Sequence, residues 1–157
     1  MGIWQKRLDD LADEAIPLTA VHARLGLGRL KSWRTGFVEK EWRVDPEVCT
    51  GTGTGAQAVF GGYISALADQ ILSWAAMTVV DDSHFFRTSS LQVSFFRPVS
   101  GGSLRIEGRV VNQSSSLLHC EADFLREDGK LAAKAAAVQV LTPIDATVVA
   151  AFKLSSR

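Results

Sequence analysis

Gly61-Gly62-Tyr63-Ile64-Ser65-Ala66-Leu67-Ala68-Asp69-Gln70-Ile71-Leu72-Ser73-Trp74-Ala75-Ala76-Met77 is apolar on nearly every side of a helical wheel, and a helix of that kind needs other structure wrapped around it. A membrane span is the competing reading. Asp69 and Gln70 sit in the middle of the run and no basic residues flank it, so a buried helix of a soluble fold is expected instead.

Downstream of this segment the apolar residues change to a period of two, which marks half-buried strands. Leu91, Val93 and Phe95 alternate with Ser90, Gln92 and Ser94; Leu104, Ile106 and Val110 with Arg105, Glu107 and Arg109; Leu118, Cys120, Ala122 and Phe124 with His119, Glu121 and Asp123. Leu131 to Leu141 is the last strand, stopped by Pro143. Ser100-Gly101-Gly102, Asn112 to Ser116 and Asp128-Gly129 supply turns between them, so the pattern predicts an antiparallel meander. Upstream, Arg29 to Val44 reads as a further strand with a bulge or bend at Gly36. The expected class is α+β: a five- to six-stranded antiparallel sheet wrapped around a long central helix. Ile3 to Ile16 carries a helical stripe closed by Pro17, and Thr19 to Leu25 reads as a second short helix ended by Gly26 and Gly28. We read the chain, 1–157, as one domain with the helix 3–16 appended.

Composition narrows the function. A chain of 157 residues, 46% hydrophobic, can bury a real core. Seventeen basic and seventeen acidic side chains leave no global field to draw it onto nucleic acid or an anionic membrane. Cys49 and Cys120 make neither a disulfide framework nor a metal cluster. The start turns acidic where a signal peptide needs an apolar run, so a cytoplasmic location is expected. The stretch Thr50 to Gly55 lacks the lysine and the strand-to-helix context of a phosphate loop, and is expected to be an ordinary loop.

Asp69 is the residue to explain, because a carboxylate in an apolar helix is costly to bury unless it is paired, hydrated or kept for a task. Ser65 and Ser73 lie four residues before and after it, so helical geometry makes one polar stripe of the three. That stripe is either the solvent edge of the helix or a site. At the start of the same helix, Gly61-Gly62 leaves open backbone amides that can polarise a carbonyl oxygen. An oxyanion donor and a carboxylate base or nucleophile are what hydrolysis of an acyl thioester needs. Gly61 and Asp69 are eight residues apart, about 12 Å along the axis, so one helix cannot bring them together. Cooperation requires Gly61 of one chain to meet Asp69 of another, with two antiparallel helices side by side about a two-fold axis.

Phe60-Gly61-Gly62-Tyr63-Ile64-Ser65-Ala66-Leu67-Ala68-Asp69 resembles the His-Gly-Gly-x-x-x-x-Leu-x-Asp motif of hotdog-fold acyl-CoA thioesterases, in particular the phenylacetate-pathway (PaaI-like) type. The run Leu91 to Leu104, with Phe96-Arg97-Pro98, and Glu127 to Lys134 are similar to that family's strand-turn pattern. The resemblance covers roughly Gly26 to Leu141. It implies a hotdog fold, assembly as dimers or tetramers, and metal-free, cofactor-free hydrolysis of acyl-CoA. By position it puts Asp69 at the catalytic carboxylate, Gly61 at the carbonyl-polarising amide, Ser73 at a water-holding hydroxyl of a related branch, and Thr88 at a hydroxyl used by other members. Thr54 stands where some members carry asparagine. Phe60, Gly62, Tyr63 and Thr54 are the expected substrate-binding positions, and with Phe86 they suggest a medium-chain or aryl acyl group. Phe60 replaces the motif's histidine, and a phenyl ring donates no hydrogen bond.

That departure motivates an alternative, a non-catalytic hotdog dimer that binds acyl-CoA as a sensor or carrier. Hydration of an enoyl thioester ranks below both, because no histidine lies close to the helix. His22, His84 and His119 read as surface residues and Cys120 as core. Cys49 borders the glycine-rich loop. Arg105, Arg109, Lys130 and Lys134 are candidates for coenzyme A phosphates.

Overall fold

A computed structural model describes residues 1–51, 53–145, 147, 148 and 150. Thr52 of the glycine-rich loop and the end of the chain, 151–157, lie outside the described residues. Helix α1 (Ile3–Ala12) buries Leu8 and Leu11 and packs on the central helix. It ends four residues before the sequence spacing suggests, because Glu14 adopts a left-handed φ of 58° and the Ala15 N–H closes onto Asp10 O at 2.8 Å, a helix-terminating turn. Helix α2 (Ala20–Arg24) ends in the same way at Gly26, with φ +65°.

The expected strand 29–44 is a hairpin, β1 (Ser32–Arg34) and β2 (Phe37–Arg43). Gly36 is therefore the tight turn rather than a bulge, and its φ of +76° is one that a side chain would strain. Asp45 then caps a single 3₁₀ turn, Pro46–Val48. The glycine-rich segment is not a plain loop. It is the tip of a small hairpin, β3 (Cys49–Gly51) and β4 (Gln57–Val59).

Helix α3 (Gly61–Met77) runs across the face of a six-stranded antiparallel sheet completed by β5 (His84–Phe95), β6 (Ser103–Gln113), β7 (Leu117–Arg126) and β8 (Leu131–Pro143). The order is β1-β2-β6-β7-β8-β5. Only β6 to β8 form the expected meander. Strand β5 pairs with β8 and not with β6. The reason lies in the connection. Phe96 and Arg97 still donate to Ala132 O on β8, at 2.8 and 3.0 Å, and then Pro98, which has no N–H, leaves the ladder. Val99 is buried and accepts from the Val59 N–H at 2.8 Å, so the chain crosses to the far side before Ser103. Strand β5 is left as one edge of the sheet.

The core joins α3 (Leu67, Ala68, Ile71, Leu72, Ala75) to Val38, Leu104, Ile106, Leu118, Cys120, Ala122 and Phe124, all nearly inaccessible. Burial pushes the Cys120 thiol up to about 12, consistent with a packing role. The Gln5 amide donates to Met77 O and Val80 O at 2.7 and 3.1 Å, satisfying carbonyls at the end of α3. Helix and sheet come close at Gly108, where an added Cβ would stand 2.9 Å from Val38 Cγ2 and 3.1 Å from Ile71 O. Gly108→Val should therefore cost about 3 kcal/mol, read as a lower urea midpoint in circular dichroism, because neither backbone nor branched neighbour can yield cheaply. No helix among the described residues is long and apolar enough to cross a membrane.

Candidate active site

Helix α3 enters through two backbone bonds, Val59 N–H to Val99 O and Phe60 N–H to Val48 O, at 2.8 and 2.9 Å. The first turn then begins with Tyr63 N–H and Ile64 N–H on Phe60 O. Phe60 precedes the helix without a side-chain cap, so the amides of Gly61 and Gly62 stand ahead of the first helical bonds with the positive end of the helix dipole behind them. Two exposed phenylalanine rings lie close over these glycines. A Cβ on Gly62 would meet the Phe60 ring at 2.4 Å, and one on Gly61 would meet the Phe95 ring at 3.3 Å. Beside them lies an open groove lined by Val59, Gly61, Ile64, Phe95, Phe96 and Pro98. Phe60, Phe95 and Phe96 are each more than half exposed, an unusual concentration of exposed aromatic surface at one helix end.

Asp69 occupies the exposed edge of α3, with Ser65 and Ser73 half-buried one turn to either side. The Ser65 hydroxyl donates back to Gly61 O at 3.0 Å, which occupies its one proton within its own helix. The Asp69 carboxylate is met from the sheet. Thr88 Oγ1 on β5 lies 3.0 Å from Asp69 Oδ1 and 3.1 Å from Gln139 Oε1 on β8. The structure thus brings Asp69 and Thr88 together, with Ser73 the next residue along the stripe. Gly61 stays two turns away on the same helix. Tyr63 is buried against Trp42, ring centroids 5.1 Å apart, and its hydroxyl donates to Leu25 O. Thr54 is exposed in the β3–β4 connection. Phe86 packs edge-on against Trp4 at 5.3 Å.

Gln70, the residue after Asp69, meets a buried charged group that the alternation does not single out as functional. Lys40 on β2 is wholly buried; its ammonium donates to Leu27 O at 2.6 Å and to Gln70 Oε1, and lies 5.5 Å from the Trp74 ring centroid. Burial brings its pKa down to about 7. His22, expected at the surface and away from the helix, is instead half-buried and stands edge-on to the same tryptophan at 6.3 Å, so one histidine does lie against α3. Burial first and Lys40 second hold its pKa below the ordinary value, with Asp69 opposing. The signal was present: Lys40 shares the parity of Val38 and Trp42, both buried, and Gln70 is the second polar residue in the apolar helix.

Arg105, Arg109 and Lys134 on the outer face are each engaged by carboxylates of the same sheet. Arg109 bonds Asp123 at 2.7 Å and Glu121 at 3.0 Å, Lys134 reaches Glu121 at 3.2 Å, and Arg105 reaches Glu107 at 3.1 Å. The Arg109 pKa is raised, mainly by Asp123. His84 pairs with Asp81 at 2.9 Å, His119 is exposed, and Cys49 is half-buried with Sγ 3.6 Å from Asp45 O.

A family model described as the thioesterase superfamily matches residues 56–133, which contain the start of α3, Asp69 and Thr88. A Saccharolobus solfataricus protein named as an esterase is 37% identical over 75 residues, 48% of this chain and 53% of that protein; the match thus spans about half the length of the curated relative. Among solved structures, a thioesterase-named phenylacetic acid degradation-related protein from Ralstonia eutropha superposes with TM-score 0.72 at 24% identity, covering 85% of this chain and 98% of that one. A Streptococcus mutans protein bound to acetyl CoA superposes with TM-score 0.65 at 21% identity, over 73% and 87% of the two chains. Central helix, sheet order and superposition describe a hotdog fold, and the family match places residues 56–133 of this chain in the thioesterase superfamily.

Proposed function

We propose that the protein hydrolyses acyl-CoA thioesters carrying a medium-chain or aryl acyl group, at a metal-free site shared between two copies of the chain. One observation carries the reading: a single helix holds an open N-terminus at Gly61 and, eight residues on, a carboxylate at Asp69 bonded to the Thr88 hydroxyl. The two halves of thioester chemistry are thus both present and cannot meet within one chain. Strand β5 supports assembly, since its outer edge has no partner strand among the described residues and twelve residues of unpaired edge are a template for a second copy. Antiparallel pairing of two such edges about a two-fold axis would lay the α3 helices side by side.

In this arrangement the Gly61 amide of one copy binds the thioester oxygen as it gains charge. Asp69 of the other activates water or attacks the carbonyl carbon, and the coenzyme A thiolate leaves. Phe60, Phe95 and Phe96 offer the acyl group an apolar wall. Bound acetyl CoA in the Streptococcus mutans relative and the phenylacetic acid label of the Ralstonia relative favour the substrate class, an aryl acyl group included. The test is release of free thiol from a panel of acyl-CoA esters. Turnover is expected; tight binding of acyl-CoA without turnover would establish the sensor reading, for which Phe60 in the histidine position is the argument. Light scattering should give a dimer or a dimer of dimers, and a monomer at assay concentration would remove the shared site.

A further inference from the structure

The buried face of β8 is a row of small apolar residues, Ala133, Ala135 and Ala137, that continues at Gln139. An amide in that position is costly unless it is hydrogen-bonded. Gln139 is inaccessible to solvent, and its Nε2 has no partner among the described residues. It lies directly across the ladder from Thr88. One residue beyond that pair the register slips between Thr88 and Ser90, the kind of bulge that re-aims a side chain. Here it accompanies a Thr88 hydroxyl set between Gln139 and Asp69.

The Thr88 hydroxyl has one proton and faces two acceptors, Asp69 Oδ1 at 3.0 Å and Gln139 Oε1 at 3.1 Å. It can donate to only one of them. Both contacts become hydrogen bonds once the Gln139 amide is turned over, so that Nε2 faces Thr88. The group left without a partner is then a carbonyl, which interiors tolerate better than an N–H.

We propose that Gln139 is a positioning residue of the site: its side-chain amide donates to Thr88 Oγ1, which commits the threonine proton to Asp69 Oδ1 and holds the carboxylate with its second oxygen free toward substrate. The proposal rests on the thioesterase reading for its catalytic consequence, and on geometry alone for the relay. Removing the relay should misplace a reacting group without touching the acyl-binding surface, so the effect belongs in kcat.

The experiment combines Gln139→Met, close in volume, with Thr88→Val and Thr88→Ser. Against the best acyl-CoA ester, Gln139→Met is expected to lower kcat about tenfold with KM within about twofold. Thr88→Ser should keep most of the activity. In the Thr88→Val background, Gln139→Met should add little, because both act through one chain of bonds. Effects that multiply, or a loss confined to KM, would overturn the relay. A second arm needs neither turnover nor the Gln139 variant: in the ¹⁵N side-chain amide spectrum, one Gln139 proton should be displaced downfield and should lose that displacement in Thr88→Val. An unchanged Gln139 signal would sink the proposal. If the wild-type protein hydrolyses no ester, the thioesterase reading falls, and the amide spectrum still decides the relay.

Discussion

Asp69→Asn is expected to lower kcat/KM for acyl-CoA hydrolysis by about 10² to 10⁴, the range for loss of a positioned general base, and to leave the thermal midpoint within a few degrees. The substitution keeps the shape, and its carbonyl oxygen still accepts from Thr88, so the hydrogen bond at 3.0 Å survives. What it removes is the negative charge and the basic oxygen. Because Asp69 is exposed at the helix edge, no buried partner is orphaned, and surface substitutions of this kind rarely cost more than about 0.5 kcal/mol. Unchanged turnover in Asp69→Asn would remove the residue from the mechanism. A single turnover in ¹⁸O-labelled water separates its two possible roles. As nucleophile, Asp69 forms an anhydride as the thiolate leaves, and hydrolysis of that intermediate can place the label in its own carboxylate. As base, it stays unlabelled and all the label enters the product acid.

The second large effect concerns stability. Burial lowers the pKa of Lys40 from 10.5 to about 7, whereas in the unfolded chain the ammonium is solvated and keeps its ordinary value. Between about pH 7 and 10.5 the unfolded state therefore holds a proton that the folded state lacks, and stability rises with pH across that window. Below pH 7 both states are protonated, and the cost of the buried charge is fully present. From pH 7 to 8.5 the gain is about 1.5 kcal/mol, given about 1.4 kcal/mol per pKa unit. Above that range Cys120 acts the other way, since its thiol stays protonated in the core to about pH 12. His22, with a lowered value, contributes its own rise at lower pH. Urea titrations of wild type and Lys40→Met at pH 7 and 8.5 isolate the lysine. The wild type should gain and the variant should not, even though methionine leaves Leu27 O and Gln70 Oε1 without their donor. Parallel pH dependence in the two proteins would refute the assignment.

Lys40 and Gln139 illustrate where reading a sequence stops. Each sits at the parity of buried neighbours, Lys40 with Val38 and Trp42, Gln139 with Ala135 and Ala137, so burial was legible in the alternation. Their partners were not. Lys40 meets a residue 30 positions away, and Gln139 meets one 51 positions away. Likewise the strands β5 to β8 followed from alternation and turn residues, while the pairing of β5 with β8 depended on Pro98 leaving the ladder and Val99 entering the core.

The sequence by itself determined that an apolar helix from Gly61 is enclosed by an antiparallel sheet, that its first amides are open, and that Asp69 stands too far along to reach them. Those are consequences of local period and rise per residue, and they needed no partner to be known. Only the tertiary structure decided which strand became the edge, which hydroxyl met the carboxylate, and that a buried lysine bonds the neighbouring Gln70. Such contacts join residues distant in the chain, and their identity depends on the order in which strands pair rather than on the pattern within any one of them.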